Sequence, residues 1–190
     1  MNGNISLIEP WRSVIGHFNM GGLINMADFY QEAFTLNAMV GGEDVTQGAL
    51  EREMFPLLLG SRDEIITPAV RQYAKGLWEY DIDGRFEVET NAKWIPEGEG
   101  LFPHYHAGSC ISVIVYPQDS VSGLNVFDPR GHACRGYPKE IRDKFFAVHR
   151  ISPKAGDVFI FPSYMQHSVS YVQEDVRMSV LHEYYLRQNV

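Results

Sequence analysis

The sequence predicts a mainly β protein with flanking α-helices, folded as a sheet sandwich or an open barrel. Two observations carry this. Helical spacing of apolar residues is confined to the part of the chain before Gly84. After Gly84 the texture changes to short β-branched and aromatic runs separated by Gly, Pro, Asp and Ser. Helices first and many short strands after suit a sheet core with helices outside it.

A chain of 190 residues fits a single domain over 1–190, long enough for a substantial core. Residues 1–85 form its helical flank and residues 86–190 carry the sheet core. The 45% hydrophobic and 21% charged content is that of an ordinary globular protein. Aromatics, at 13%, suit a β-rich core and an aromatic-lined pocket. A net charge of −8 argues against a general binder of nucleic acid or of anionic membranes. No apolar run is long enough to span a bilayer, and Met1–Ser6 lacks the basic start of a signal peptide. Two cysteines, Cys110 and Cys134, do not make a disulfide framework, so a reducing cytoplasm is expected.

In chain order, Asn25 is placed to cap a helix through Met26–Phe34, with Phe29, Ala33 and Phe34 as its apolar stripe and Gly41-Gly42 as its end. Glu43–Phe55 reads as neither helix nor strand, and Gly60 marks a break. Thr67 then serves as N-cap and Pro68 as first helical residue of a helix whose Val70, Tyr73, Ala74 and Leu77 face a sheet. Asp81–Gly84 is a turn. Strands follow at 86–95, 110–116, 124–127, 147–151, 158–161, 167–172 and 176–185. Pro96–Gly100 is a loop, Pro117–Ser120 a turn, and Lys154–Asp157 a hairpin-type turn. Asp128–Pro138 is loop-like, and its length suggests an insert at a functional site.

His104 and His106 stand two apart beside a strand-like run, an arrangement that puts both side chains on one face of a strand. A third histidine, His167, and then Arg177 follow in the later strands. Taken singly, each histidine reads equally as a hydrogen-bonded or surface residue. Taken in this order, they read as two close metal ligands and one distant one. Imidazole nitrogens suit divalent iron, and three ligands on one face leave the opposite face open. An arginine late in a sheet is ordinarily a solvated edge residue. Its functional reading is a clamp on a carboxylate, since guanidinium is a planar fork that stays charged. Ser179 shares its strand face and offers a hydroxyl to the same carboxylate.

These features together resemble the 2-oxoglutarate and Fe(II)-dependent oxygenases, and within them a small group found in bacteria and phages. The matching residues are Trp94, Gly100, His104-Tyr105-His106, Ser122-Gly123, Phe127–Arg130, Gly156-Asp157, Phe161–Ser163, His167 and Arg177–Ser179. The resemblance covers about half of the chain and leaves residues 1–85 unassigned. It implies a double-stranded β-helix core of the jelly-roll or cupin-like kind. It also implies Fe(II) held by His104, His106 and His167, and 2-oxoglutarate as cosubstrate. Arg177 and Ser179 would take its distal carboxylate and Tyr116 a further contact. The activity implied is a dioxygenase that couples oxidative decarboxylation of 2-oxoglutarate by O2 to hydroxylation of a prime substrate, a small molecule or a protein side chain.

One position departs from the superfamily pattern, which usually has Asp or Glu where His106 stands. Three neutral imidazoles leave the full +2 on the metal. Asp128 is the alternative carboxylate ligand, with His106 then behind it; its other reading is a turn residue before Pro129. A three-histidine dioxygenase that does not use 2-oxoglutarate, a cupin-like metal-binding protein and a structural jelly roll are the alternatives. Arg130 and His132 in the insert, and Asn125 and Tyr105 near the site, are further candidates to contact ligands. His149 and His182 have no partners in sequence and read as structural.

Overall fold

The computed structural model describes residues 13–41, 45–46, 50, 52–79 and 86–186. The turn expected at Asp81–Gly84 and the start at Met1–Ser6 lie outside the described residues. The elements run β1 (Gly16–Asn19), α1 (Met26–Val40), β2 (Val45–Thr46), α2 (Pro56–Ser61), a π-turn at Arg62–Ile66, and α3 (Thr67–Trp78). Next come β3 (Phe86–Pro96), β4 (Leu101–His104), β5 (Ile111–Val115), β6 (Leu124–Val126), a 3₁₀ turn at Gly131–Cys134, and α4 (Lys139–Phe145). The chain continues through β7 (His149–Ile151), β8 (Asp157–Pro162), β9 (His167–Val169) and β10 (Val176–Leu186).

The strands form two antiparallel sheets. The large sheet has the order β1-β8-β5-β10-β3-β2, and the small one β4-β9-β6-β7. From β3 onward the chain crosses repeatedly between the two sheets, which makes the core a double-stranded β-helix. Strand alternation divides the large sheet into two faces. Val113, Val115, Val158, Ile160, Met178, Val180 and Tyr184 pack outward against the helices, with Phe29, Ala33, Leu36, Val70 and Ala74 opposite them. Ile114, Tyr116, Phe159, Phe161 and Leu181 point inward, against Leu124 and Val126 of the small sheet. Arg177, Ser179 and Glu183 share that inward face of β10.

The helical flank follows ordinary rules. The Asn25 side chain accepts from the Ala27 amide at 3.0 Å and from that of Asp28 at 3.5 Å, capping α1 as expected. Gly41, at φ 63°, closes it in the left-handed conformation. The helix extends beyond Phe34 to Val40, because Leu36 continues the buried stripe.

Thr67 opens α3 as expected, but it is not an N-cap. Thr67 lies at φ −60°, ψ −42° inside a helical run that starts at Pro56 and passes through Gly60. The true start is set by Glu32, whose carboxylate accepts the free amides of Leu57 (3.1 Å) and Leu58 (2.8 Å). Pro68 survives in mid-run because the π-turn lies directly before it, widening the helix where the proline has no amide to donate. The Thr67 hydroxyl instead meets the Tyr184 hydroxyl at 3.0 Å.

Among the elements that went unrecognised in the sequence are β1, β4 and α4. The first two are four residues each, and β4 contains Pro103 and a register irregularity. α4 buries none of its seven residues, so it has no apolar stripe to read. Among the described residues no helix is long and apolar enough to cross a membrane.

Candidate metal and cosubstrate site

β4 and β9 pair so that His104 and His167 are direct cross-strand partners. His106 lies just past the end of β4, where its amide donates to the Ser163 carbonyl at 3.1 Å. The three rings converge, with centroids 4.4 Å apart for His104 and His167, 5.1 Å for His106 and His167, and 5.4 Å for His104 and His106. One ring nitrogen from each lies within 4.8 Å of the other two.

The hydrogen bonds select those nitrogens. His104 Nδ1 donates to the Phe102 carbonyl at 2.7 Å, and His167 Nδ1 to the Met165 carbonyl at 3.1 Å. His106 Nδ1 stands 3.0 Å from Glu183 Oε1. All three acceptors lack a proton to give, so each neutral imidazole carries its proton on Nδ1 and presents a bare Nε2. Nε2 of His106 and Nε2 of His167 are 3.3 Å apart. Two lone pairs at that distance repel unless a cation stands between them. Burial lowers the His167 pKa to about 4, with the nearby charges of His104, His106 and Arg177 adding to it against the Met165 hydrogen bond. His167 is therefore neutral and ready to coordinate near neutral pH.

Glu183, from β10, was missed in the sequence. It is 4% exposed and also accepts from the Ser109 hydroxyl at 3.0 Å. Ser109 in turn lies 2.8 Å from the Ser163 hydroxyl, which is 2.8 Å from that of Ser112. Burial pushes the Glu183 pKa up, but the hydrogen bond and charge of His106 and the Ser109 bond outweigh it and hold the carboxyl below its ordinary value. The signal available in the sequence was strand alternation. Arg177, Ser179 and Glu183 fall on one face of one strand.

Arg177 is 1% exposed. Its Nη2 donates to the Tyr116 hydroxyl at 2.5 Å, its Nη1 lies 3.5 Å from Ser179 Oγ, and its guanidinium sits 4.9 Å above the Tyr116 ring. Nε has no partner, and among the described residues no carboxylate faces the guanidinium. A buried cation without an anion is costly, and a bound carboxylate removes that cost. Arg177, Tyr116 and Ser179 are thus brought together. Asn125 lies on the small sheet, donating to Ser170 Oγ at 2.9 Å with its buried Oδ1 unpartnered. Tyr105 is exposed.

Asp128 is not placed as a metal ligand. It is not in the histidine group, and Arg130 takes both its oxygens, with Nε at 2.9 and 3.2 Å and Nη2 at 2.5 Å. The Arg130 hydrogen bonds hold its carboxyl below the ordinary range. Arg130 also stacks on Phe146 and donates to the Phe145 carbonyl, so the pair ties α4 to the end of β6. The side chain of His132 lies outside the described residues. His149 lines a groove with His17, Tyr73, Asp128 and Arg130. His182 is fully buried against Thr90.

Residues 92–182 match the model of a family described as "Putative 2OG-Fe(II) oxygenase". That segment contains His104, His106, Tyr116, His167, Arg177 and Ser179 and stops one residue before Glu183. Over that segment, just under half of the chain, the protein matches the 2-oxoglutarate/Fe(II) oxygenases. Solved structures agree on the fold. A prolyl-4-hydroxylase from Pseudomonas putida superposes with a TM-score of 0.61 at 15% identity, over 93% of this chain and 88% of that one. A prolyl hydroxylase from Trichoplax adhaerens, in complex with a hypoxia inducible factor oxygen degradation domain peptide fragment, gives 0.59 at 17% identity over 90% and 83%. The viral collagen prolyl hydroxylase of Paramecium Bursaria Chlorella virus-1 gives 0.56 at 12% identity over 99% of both. None of the curated proteins matches the chain.

The oxygenase uses Fe(II) and 2-oxoglutarate, and the donor set suits both. Metal–imidazole bonds of about 2.1 Å place two nitrogens about 3.0 Å apart at right angles and about 3.4 Å apart at the tetrahedral angle. The 3.3 Å between His106 and His167 falls in that interval. A ligand set of three imidazoles leaves coordination positions for a keto acid and O2.

Proposed function

We propose that His104, His106 and His167 hold Fe(II), and that Arg177, with Tyr116 and Ser179, holds the distal carboxylate of 2-oxoglutarate. The enzyme then hydroxylates a small molecule or a protein side chain. The observation that carries this reading is Arg177: a buried guanidinium with an unpartnered Nε and no carboxylate facing it among the described residues. A cupin-like metal binder, or a three-histidine dioxygenase that ignores 2-oxoglutarate, would need some other carboxylate ligand to give such a cation a partner.

When bound, Fe(II) supplies activation of O2 coupled to oxidative decarboxylation of 2-oxoglutarate, with release of succinate and CO2. The chain's own residues bind, orient and exclude. The Phe102 and Met165 carbonyls and Glu183 fix the three ring orientations. Arg177 anchors the far end of the cosubstrate, a constraint that lowers the entropy cost of aligning its keto acid. Phe161 packs edge-on to His167 at 5.1 Å and shields that ring from water. Phe102, 86% exposed, and Tyr105, 61% exposed, flank His104 and offer an apolar rim to the prime substrate. The bound peptide of the Trichoplax protein supports a protein side chain as one such substrate. A net charge of −8 supports partners other than nucleic acid or an anionic membrane. The free thiols of Cys110 and Cys134 fit a reducing compartment such as the cytoplasm.

The test is anaerobic addition of Fe(II) and 2-oxoglutarate, watching for a weak visible charge-transfer band, followed by succinate assay with candidate peptides and metabolites in air. The band requires both additions. Its absence in protein shown to be folded ends this reading.

A further inference from the structure

We infer that Glu183 is a positioning residue that works through His106 and supplies, from behind that imidazole, the negative charge that three neutral imidazoles lack. The inference rests on the metal reading of the histidine cluster. Three observations carry it. Glu183 Oε1 stands 3.0 Å from His106 Nδ1, and it is the carboxylate among the three Nδ1 acceptors, the other two being backbone carbonyls. Glu183 is 4% exposed, so its charge is not dispersed in solvent. It is held from behind by the Ser109 hydroxyl at 3.0 Å, itself braced against Ser163 at 2.8 Å.

The physical consequence has two parts. A carboxylate accepting from Nδ1 fixes which nitrogen of His106 faces the metal, and it makes that nitrogen a stronger donor than the carbonyl-bonded His104 and His167. It also offsets part of the +2 left by a neutral ligand set, which sets how strongly the metal draws further anions. These parts predict opposite responses to one substitution. Glu183→Gln keeps a hydrogen-bond acceptor for His106 and removes the charge. It should hold metal less tightly, and the metal it does hold should draw anions more strongly. A residue needed only for packing does not move those two quantities in opposite directions.

The experiment uses the full chain loaded with Co(II), read by its visible absorption and by competition with a chelator, and then titrated with azide. Three variants are compared: Glu183→Gln, Glu183→Ala and Ser109→Ala. Loss of such a supporting partner costs about 10- to 100-fold in metal affinity. Glu183→Gln should fall near the lower end of that range and Glu183→Ala near the upper. Ser109→Ala, which leaves the carboxylate in place, should lose a few-fold and guards against a misfolded Glu183 variant. Azide should bind cobalt-loaded Glu183→Gln several-fold more tightly than the wild type. Wild-type affinity for both metal and azide in Glu183→Gln overturns the inference and leaves the metal site standing. A wild type that binds neither Co(II) nor Fe(II) overturns both.

Discussion

Arg177 Nη2 donates to the Tyr116 hydroxyl at 2.5 Å, from a guanidinium that lies 4.9 Å above the same ring. The tyrosine thus aims the arginine twice, by a hydrogen bond and by its π face. Burial raises the Tyr116 pKa, against the pull of Arg177, so the phenol stays protonated. Tyr116→Phe keeps the ring and loses the hydroxyl. A net hydrogen bond contributes about 0.5–1.5 kcal/mol, and 1.4 kcal/mol is about tenfold. The variant should therefore bind 2-oxoglutarate about two- to tenfold more weakly. Calorimetry on metal-loaded protein measures this, with metal affinity unchanged.

The histidines and Asp128 separate cleanly. His104→Ala and His167→Ala each leave two ligands and should lose high-affinity metal binding. Asp128→Asn should leave metal affinity unchanged, because Asp128 is occupied by Arg130. It should instead loosen the insert, so limited proteolysis should cut faster between Gly131 and Phe145. Chelator competition on the three variants checks the first part. A large loss in Asp128→Asn would return Asp128 to the ligand set.

Two buried histidines set the acid sensitivity of the metal-free protein. Burial lowers the His167 pKa to about 4 and, with the nearby Arg62 charge, that of His182 to about 3. In the unfolded chain both titrate near 6.5. Between those values the unfolded state binds protons that the native state refuses, so stability is complete above about pH 6.5 and falls as the pH drops below it. Each group contributes a slope of up to about 1.4 kcal/mol per pH unit. Carboxylates held low, such as Asp157 and Glu174, act only further down. Urea unfolding from pH 7.5 to 5 should show this slope, and His182→Gln should roughly halve it.

Two backbone positions support the frame. Glu32→Ala frees the amides of Leu57 and Leu58 at the start of α2 and should cost about 1–2 kcal/mol, as lost helix caps do. Gly156 lies at φ 84°, where a Cβ would come 2.4 Å from the Gly21 amide nitrogen. A strained backbone of this kind costs about 1–3 kcal/mol before any clash is counted, so Gly156→Ala should lose at least that much. Denaturant midpoints measure both.

The long strands and the clusters they carry were legible because their signals are local. β10 and β3 are eleven residues each, apolar enough to read alone, and the i, i+2 pair of histidines announces itself. Elements whose cause lies elsewhere in the chain were not. The start of α2 depends on Glu32 in another helix, so Thr67-Pro68 looked like a beginning. β4 exists because β9 pairs with it, despite Pro103. Glu183 looked like one acid among many until the fold set it against His106. Asp128 looked free to coordinate because its bond to Arg130, two residues on, is a matter of side-chain geometry rather than of pattern.

The most direct test of the account is titration of 2-oxoglutarate into Fe(II)-loaded wild type, Arg177→Lys and Arg177→Met under anaerobic conditions. A charge-assisted contact contributes about 1.5–3 kcal/mol, so Arg177→Met should bind about tenfold to a few hundredfold more weakly. Arg177→Lys keeps the charge without the fork and should lie between. Metal affinity should be the same in all three. Equal 2-oxoglutarate affinity in wild type and Arg177→Met, or no binding by the wild type, would contradict the account.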